Sequence, residues 1–224
     1  MADHADIKYK LRRFFRITGK VTIRANGVVD VEGNVHLMND HPKMPVQFGQ
    51  VTGVFVCSMS KLTSLEGCPT HVGDNFDCSS NLLTTLEGCP THVRKNFRCS
   101  DNLITSLTHA PTRVPGSFNC SKNKLTNLVG APEYVGDDMS CHNNPLESLQ
   151  GAPTHVGRNW WISYHEKLPL LRTIISQQVQ FMNLNPQSNQ VAEILNKHTG
   201  EGKAGALKAA VELIRAGFRD NARW

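Results

Sequence analysis

Nothing in this sequence approaches the roughly 18 consecutive apolar residues that a membrane-spanning helix requires, and the first 25 residues hold no apolar core of the kind that opens a secreted precursor. The expected setting is the cytoplasm, with no membrane partner. Metal and redox signatures are missing too. None of the seven cysteines forms a C-x-x-C pair, which removes the usual zinc-finger and thioredoxin readings. An odd number also rules out complete pairing within one chain. No serine or cysteine stands in a nucleophile signature, and His165-Glu166 lacks the second histidine of a zinc-protease helix. Gly200-Glu201-Gly202-Lys203-Ala204-Gly205 matches G-x-G-x-x-G, but a dinucleotide site needs a strand ahead of it, and the residues before Gly200 have helical periodicity. The expectation is therefore a protein that is not an enzyme, with no cofactor and no metal.

What the chain does have is a repeat. Cys57, Cys78, Cys99, Cys120 and Cys141 are each 21 residues apart, and the residues between them keep phase as approximately C-S-x-N-x-L-T-x-L-x-G-C/A-P-x-x-V-x-x-x-F-x. Met44, Val51 and Phe55 lie 21 residues before Leu65, Val72 and Phe76, so a degenerate copy starts near His36. Terminal copies drift in this way because one face must meet water or a cap.

Each position has a physical task. The alternation Phe76-x-Cys78, Phe97-x-Cys99 and Phe118-x-Cys120 places two side chains on one face of a short strand, pointing into the core. Cys68 and Cys89 interchange with Ala110, Ala131 and Ala152, which marks a small buried apolar role. Asn81, Asn102, Asn123 and Asn144 stand where the strand must turn, so their amides are expected to pair with backbone groups and form a ladder. The L-T-x-L step supplies two more inward side chains. Gly67, Gly88, Gly130 and Gly151, each followed two residues later by proline, turn the chain, and a valine returns inward. Successive strands run the same way and should pair in parallel at about 4.8 Å.

Caps are expected on both sides. Asp6 to Arg16 reads as a short basic helix, and Lys20 to Leu37 as a hairpin around Asn26-Gly27, with Val29, Val31, Val35 and Leu37 covering the first coil. After Trp161 no cysteine follows in phase, which places the end of the repeats there. Three helices are expected beyond it: one opening at Leu168-Pro169 with Leu171, Ile174, Ile175 and Val179 on one side, one after Ser188 with Val191, Ile194 and Leu195 inward, and one with Leu207, Ala210, Val211 and Ile214 inward. The chain thus divides into 1–35 (basic helix and hairpin cap), 36–161 (solenoid) and 162–224 (helical cap or small helical domain).

Charge follows the same division. The first 24 residues carry seven basic and two acidic side chains, net +5; residues 25–164 carry nine and twelve, net −3; residues 165–224 carry eight and five, net +3. The basic ends leave nucleic-acid binding as an alternative function.

The pattern resembles the leucine-rich repeat family, specifically the short bacterial kind. Its consensus, L-x-x-L-x-L-x-x-N-x-L, is met at Phe76, Cys78, Asn81 and Leu83, and again at Phe97, Cys99, Asn102 and Ile104. The L-T-x-L-x-x-x-P return is similar to that of leucine-rich effectors secreted by enteric bacteria, and the E-G-C/A-P turn and 21-residue length to repeat proteins of tailed bacteriophages. The resemblance covers roughly residues 36 to 161 and implies a parallel sheet on a concave face. Those effectors carry a ubiquitin ligase domain with a catalytic cysteine. Here the last cysteine is Cys141, inside a repeat, so that activity does not transfer. A partner surface is expected on the exposed face of the sheet, in three columns: Asn75, Asn96, Ser117, Asp138 and Asn159; Asp77, Arg98, Asn119, Ser140 and Trp161; and Ser58, Ser79, Ser100, Ser121 and His142. Trp161 beside His142 is the expected anchor, for a protein partner of host or phage origin.

Overall fold

A computed structural model of the protein describes residues 3–224. Helix α1 (His4–Phe14) begins where Asp3 Oδ1 accepts from the Ala5 and Asp6 N–H groups at 2.9 and 3.3 Å, a side-chain cap on otherwise unpaired donors. It passes directly into β1 (Phe15–Ile23), which pairs antiparallel with β2 (Val29–Leu37) from Phe15↔Leu37 to Ile23↔Val29. The expected hairpin is present, and Val29, Val31, Val35 and Leu37 are all buried.

β2 is more than a cap. Its last residues pair parallel with Phe55–Val56, and its first residues pair parallel with Phe48–Val51. One strand therefore starts two ladders, and between them Gly33 takes a φ of +152°. An added side chain at Gly33 would sit 1.8 Å from the Thr18 carbonyl oxygen, so only glycine permits the close approach of the two strands.

Each coil that follows contributes two short parallel strands. The first ladder runs Phe55–Val56, Phe76–Asp77, Phe97–Arg98, Phe118–Asn119, Met139–Ser140 and Asn159–Ile162, in register throughout. The chain is thus a parallel solenoid of about seven turns at 21-residue spacing. Beneath the strands Phe55, Phe76, Phe97 and Phe118 pack ring on ring at 6.0, 5.1 and 5.5 Å between centroids, and the five phased cysteines have no exposed surface. The asparagine ladder is also present. Asn123, for instance, accepts from Ile104 N–H at 3.0 Å and donates to the Cys99 and Cys120 carbonyls at 3.0 and 3.1 Å. One amide thereby joins two coils, closing the backbone groups that the corner leaves unpaired.

The second ladder lies where the sequence suggested only an irregular return. It contains His71–Val72, His92–Val93, Arg113–Val114, Tyr134–Val135 and His155–Val156, and it breaks between Val93 and Val114. The cause is Pro115. Gly73, Arg94, Gly136 and Gly157 each donate an N–H to the preceding coil's valine carbonyl, and proline at the equivalent place has none to give.

The carboxy-terminal side corrects three expectations. No α-helix opens at Leu168. A short 3-10 turn, Leu171–Ile175, leads into a strand, Gln178–Phe181, that pairs parallel with Asn159–Ile162. The first ladder therefore extends one rung past Trp161. Val179 and Phe181 are buried and Gln178 is exposed, the period of two that a strand requires. Helix α2 (Pro186–Lys197) has the expected Val191 and Leu195 buried, with Ile194 half-buried, behind a capping box of Asn185 and Ser188. Helix α3 (Gly202–Arg215) turns the other way from the expectation: Ala206, Ala209 and Leu213 are buried, whereas Leu207, Val211 and Ile214 face solvent. Small residues decide this face, since a Cβ on Gly205 would sit 2.4 Å from the His198 carbonyl oxygen. Only a flat, small-residue surface lets α3 approach so closely.

Candidate functional site

On the outward side of the first ladder, strand register fixes a column of neighbours: His36, Val56, Asp77, Arg98, Asn119, Ser140, Trp161 and Gln180. The expected members Asp77, Arg98, Asn119, Ser140 and Trp161 are thus brought together at the strand spacing of about 4.8 Å. Trp161 is not the end of the column, because Gln180 follows it. Trp160, one residue earlier, points inward, is fully buried and donates its indole N–H to Cys141 Sγ at 3.2 Å.

Electrostatically the column is uneven. Asp77 Oδ1 accepts from the Ser79 N–H at 2.9 Å, and Asn119 Oδ1 accepts from the N–H and hydroxyl of Ser121 at 3.0 and 2.7 Å. Arg98 is exposed and has no ion-pair partner among the described residues. A free guanidinium with five donors therefore stands in the middle of the face, available to a carboxylate or a carbonyl.

The first expected column behaves differently. Asn75 Oδ1 accepts from Asn96 N–H, Asn96 Oδ1 from Ser117 N–H, Ser117 Oγ from Asp138 N–H, and Asp138 Oδ1 from Asn159 N–H, at 3.1, 2.8, 3.4 and 3.0 Å. These side chains hold one coil to the next. In the third column Ser100 donates to Ser79 Oγ at 3.1 Å, and His142 is half-buried. Burial, with Lys122 nearby, holds the His142 ring below the ordinary histidine range, which favours its neutral form.

The cysteine spine offers no chemistry to solvent. Burial pushes Cys89 and Cys141 up to about 12 and raises Cys68, Cys78, Cys99 and Cys120 as well, so the nucleophilic thiolate is suppressed.

Two features stand apart from the three expected columns. On the second ladder the His71 and His92 rings stack at 4.5 Å and 2°, Tyr134 and His155 at 4.6 Å and 8°, and the Arg113 guanidinium lies 3.7 Å from the Tyr134 centroid. The signal was available: planar side chains recur at one phase, and in-register strands must stack them. The other feature is a cleft of about 570 Å³ between the last coil and the chain end, lined by Tyr164, His165, Glu166, Asn183, Arg219 and Asp220. His165 Nδ1 accepts from Lys167 N–H, and nearby Ser163 Oγ lies against Asn143. That leaves no hydroxyl nucleophile paired with a base. Ahead of Gly200 stands helix α2, not the strand a dinucleotide site needs.

Comparison with family models, with curated proteins and with solved structures returns no match. Among the described residues no helix is long and apolar enough to cross a membrane.

Proposed function

We propose that this protein is a non-enzymatic binding scaffold, a leucine-rich repeat protein of the short bacterial and bacteriophage kind. Its first ladder presents the outward column to a protein of host or phage origin in the bacterial cytoplasm. The reading rests on a contrast inside single strands. Inward positions stay large, apolar and buried, phenylalanine with cysteine in four coils, then Met139 with Cys141 and Trp160 with Ile162, while outward positions in the same strands change from Val56 through Asp77, Arg98, Asn119 and Ser140 to Trp161. Stacked coils fix the geometry, so outward side chains are free to vary for recognition without cost to the fold. Arginine and tryptophan carry a disproportionate share of interface energy, and here they are Arg98 and Trp161. Asn75, Asn96, Asp138 and Asn159 serve this surface mainly by keeping it rigid.

Reversing both charges, Asp77→Arg with Arg98→Asp, is the test. Capture of the partner from expressing or infected cells should fall at least about tenfold, a typical hot-spot loss, with a cooperative melt retained and lowered only by the lost Asp77–Ser79 bond. Capture that survives the double substitution contradicts the proposal. Capture abolished by nuclease instead favours nucleic-acid binding through the basic ends.

A further inference from the structure

The amino-terminal edge of the solenoid is open. In the β1–β2 hairpin the Arg24 N–H donates to the Val28 carbonyl and the Met38 N–H to the Phe14 carbonyl, so even-numbered residues of β1 face β2. By alternation, the backbone groups of Ile17, Gly19, Val21 and Ile23 point the other way. Among the described residues β1 pairs with β2 and no other strand.

Beside this edge stand four cations without an ion-pair partner among the described residues. Lys20 and Arg24 have partners in Glu32 and Asp30. Lys8, Arg12, Arg13 and Arg16 form no ion pair among the described residues. A groove of about 500 Å³ between α1 and the end of β1 is lined by His4, Lys8, Leu11, Arg12, Val21 and Ile23. It has an apolar floor, a basic wall and unpaired backbone along one side.

We propose that the open edge of β1 is a docking strand for an extended acidic segment of a partner protein. That segment adds a strand to the sheet, places its carboxylates against Arg12, Arg13 and Arg16, and sets alternate apolar side chains toward Val21 and Ile23. Main-chain pairing supplies the attachment and side-chain alternation supplies the choice of sequence. The same cations act against a second copy of this chain, which would bring like charges edge to edge. This surface is separate from the outward column, so either can be lost alone.

The probe is a fluorescein-labelled peptide of alternating Glu and Val, read by anisotropy against the full chain. Binding should weaken about tenfold when alternate amides of the peptide are N-methylated, which removes its donors and keeps its charge. Val21→Pro should have the same effect, because it deletes an outward N–H while the bonds to β2 remain. Circular dichroism melting of that variant checks that the hairpin stays folded. If Val21→Pro unfolds it, Arg12→Glu with Arg16→Glu serves instead and should also weaken binding. Equal affinity for the methylated and unmethylated peptides overturns the proposal. So does full displacement of the peptide by a single-stranded oligonucleotide at equal charge, which would mean anion binding alone, or a stable dimer through this edge in sedimentation.

Discussion

At the carboxy-terminal end of the solenoid the outward N–H and C=O of Val179 meet the side-chain amide of Asn196 at 2.6 and 3.0 Å, whereas at the amino-terminal end the same groups of Ile17, Val21 and Ile23 have no hydrogen-bond partner among the described residues. The Thr199 hydroxyl also donates to the Gln177 carbonyl at 3.0 Å, while Asn183 joins the last coil to Tyr164 N–H and C=O of the one before, as the asparagine ladder does. A sheet edge is a template for unwanted pairing, and it must be either covered or charged. This protein does one at each end. The Asn196 amide of helix α2 covers the last strand as a further coil would, and Arg12, Arg13 and Arg16 charge the first.

The comparison presumes that both ends close one continuous stack, and Asn123→Ala breaks that premise most severely. It strands the Ile104 N–H in the core and leaves the Cys99 and Cys120 carbonyls with one amide donor each, from Asn102 and Asn144, so urea unfolding should show a loss of about 3 kcal/mol. A much smaller loss would mean that the amide ladder does not join the coils. Asn196→Ala attacks the covered end alone. About 2 kcal/mol should be lost there, and the freed edge at Val179 should produce concentration-dependent association in sedimentation, as the charged amino-terminal edge does not. His109 sharpens the account in the opposite direction. It occupies the turn where the other coils place Gly67, Gly88, Gly130 and Gly151, and shares their left-handed backbone at φ +78°. His109→Gly should therefore raise stability by about 1 kcal/mol, again read by urea unfolding.

Acid gives the smallest and most local effects. The Lys208 ammonium beside Glu201 and the Lys197 ammonium beside Glu212 hold both carboxyls below their usual range. Their contribution is present above about pH 4.5, the unshifted value, and is lost as pH falls through the lowered ones. The covered end should loosen before the hairpin in pH-resolved amide spectra. His142, also lowered, adds stability above pH 6.5 that declines as pH falls toward its folded value. His142→Asn should remove that slope.

Much of this was legible in the residues. A strict 21-residue phase carried Phe76, Cys78 and Asn81 from one coil to the next, and alternation around Asn26-Gly27 announced the hairpin. Two-residue strands such as His71–Val72 are too short to show alternation, so the second ladder emerges only when coils stack. Leu171, Ile174 and Ile175 mimic a helical face, yet the open edge at Asn159–Ile162 draws Gln178–Phe181 into a strand. In α3 the larger side chains pointed to the wrong face, because close approach selected Gly205, Ala206 and Ala209. The outward column at Asp77 and Arg98 could be read from alternation. The binding of Asn96 Oδ1 to Ser117 N–H could not, since it depends on axial contact between coils.

Residue-resolved hydrogen exchange tests the difference between the two ends most directly. The amides of Val21 and Ile23 should exchange rapidly while those of Lys20 and Thr22, and Val179 at the far end, remain protected. Uniform protection along β1, or fast exchange at Val179, would contradict the account.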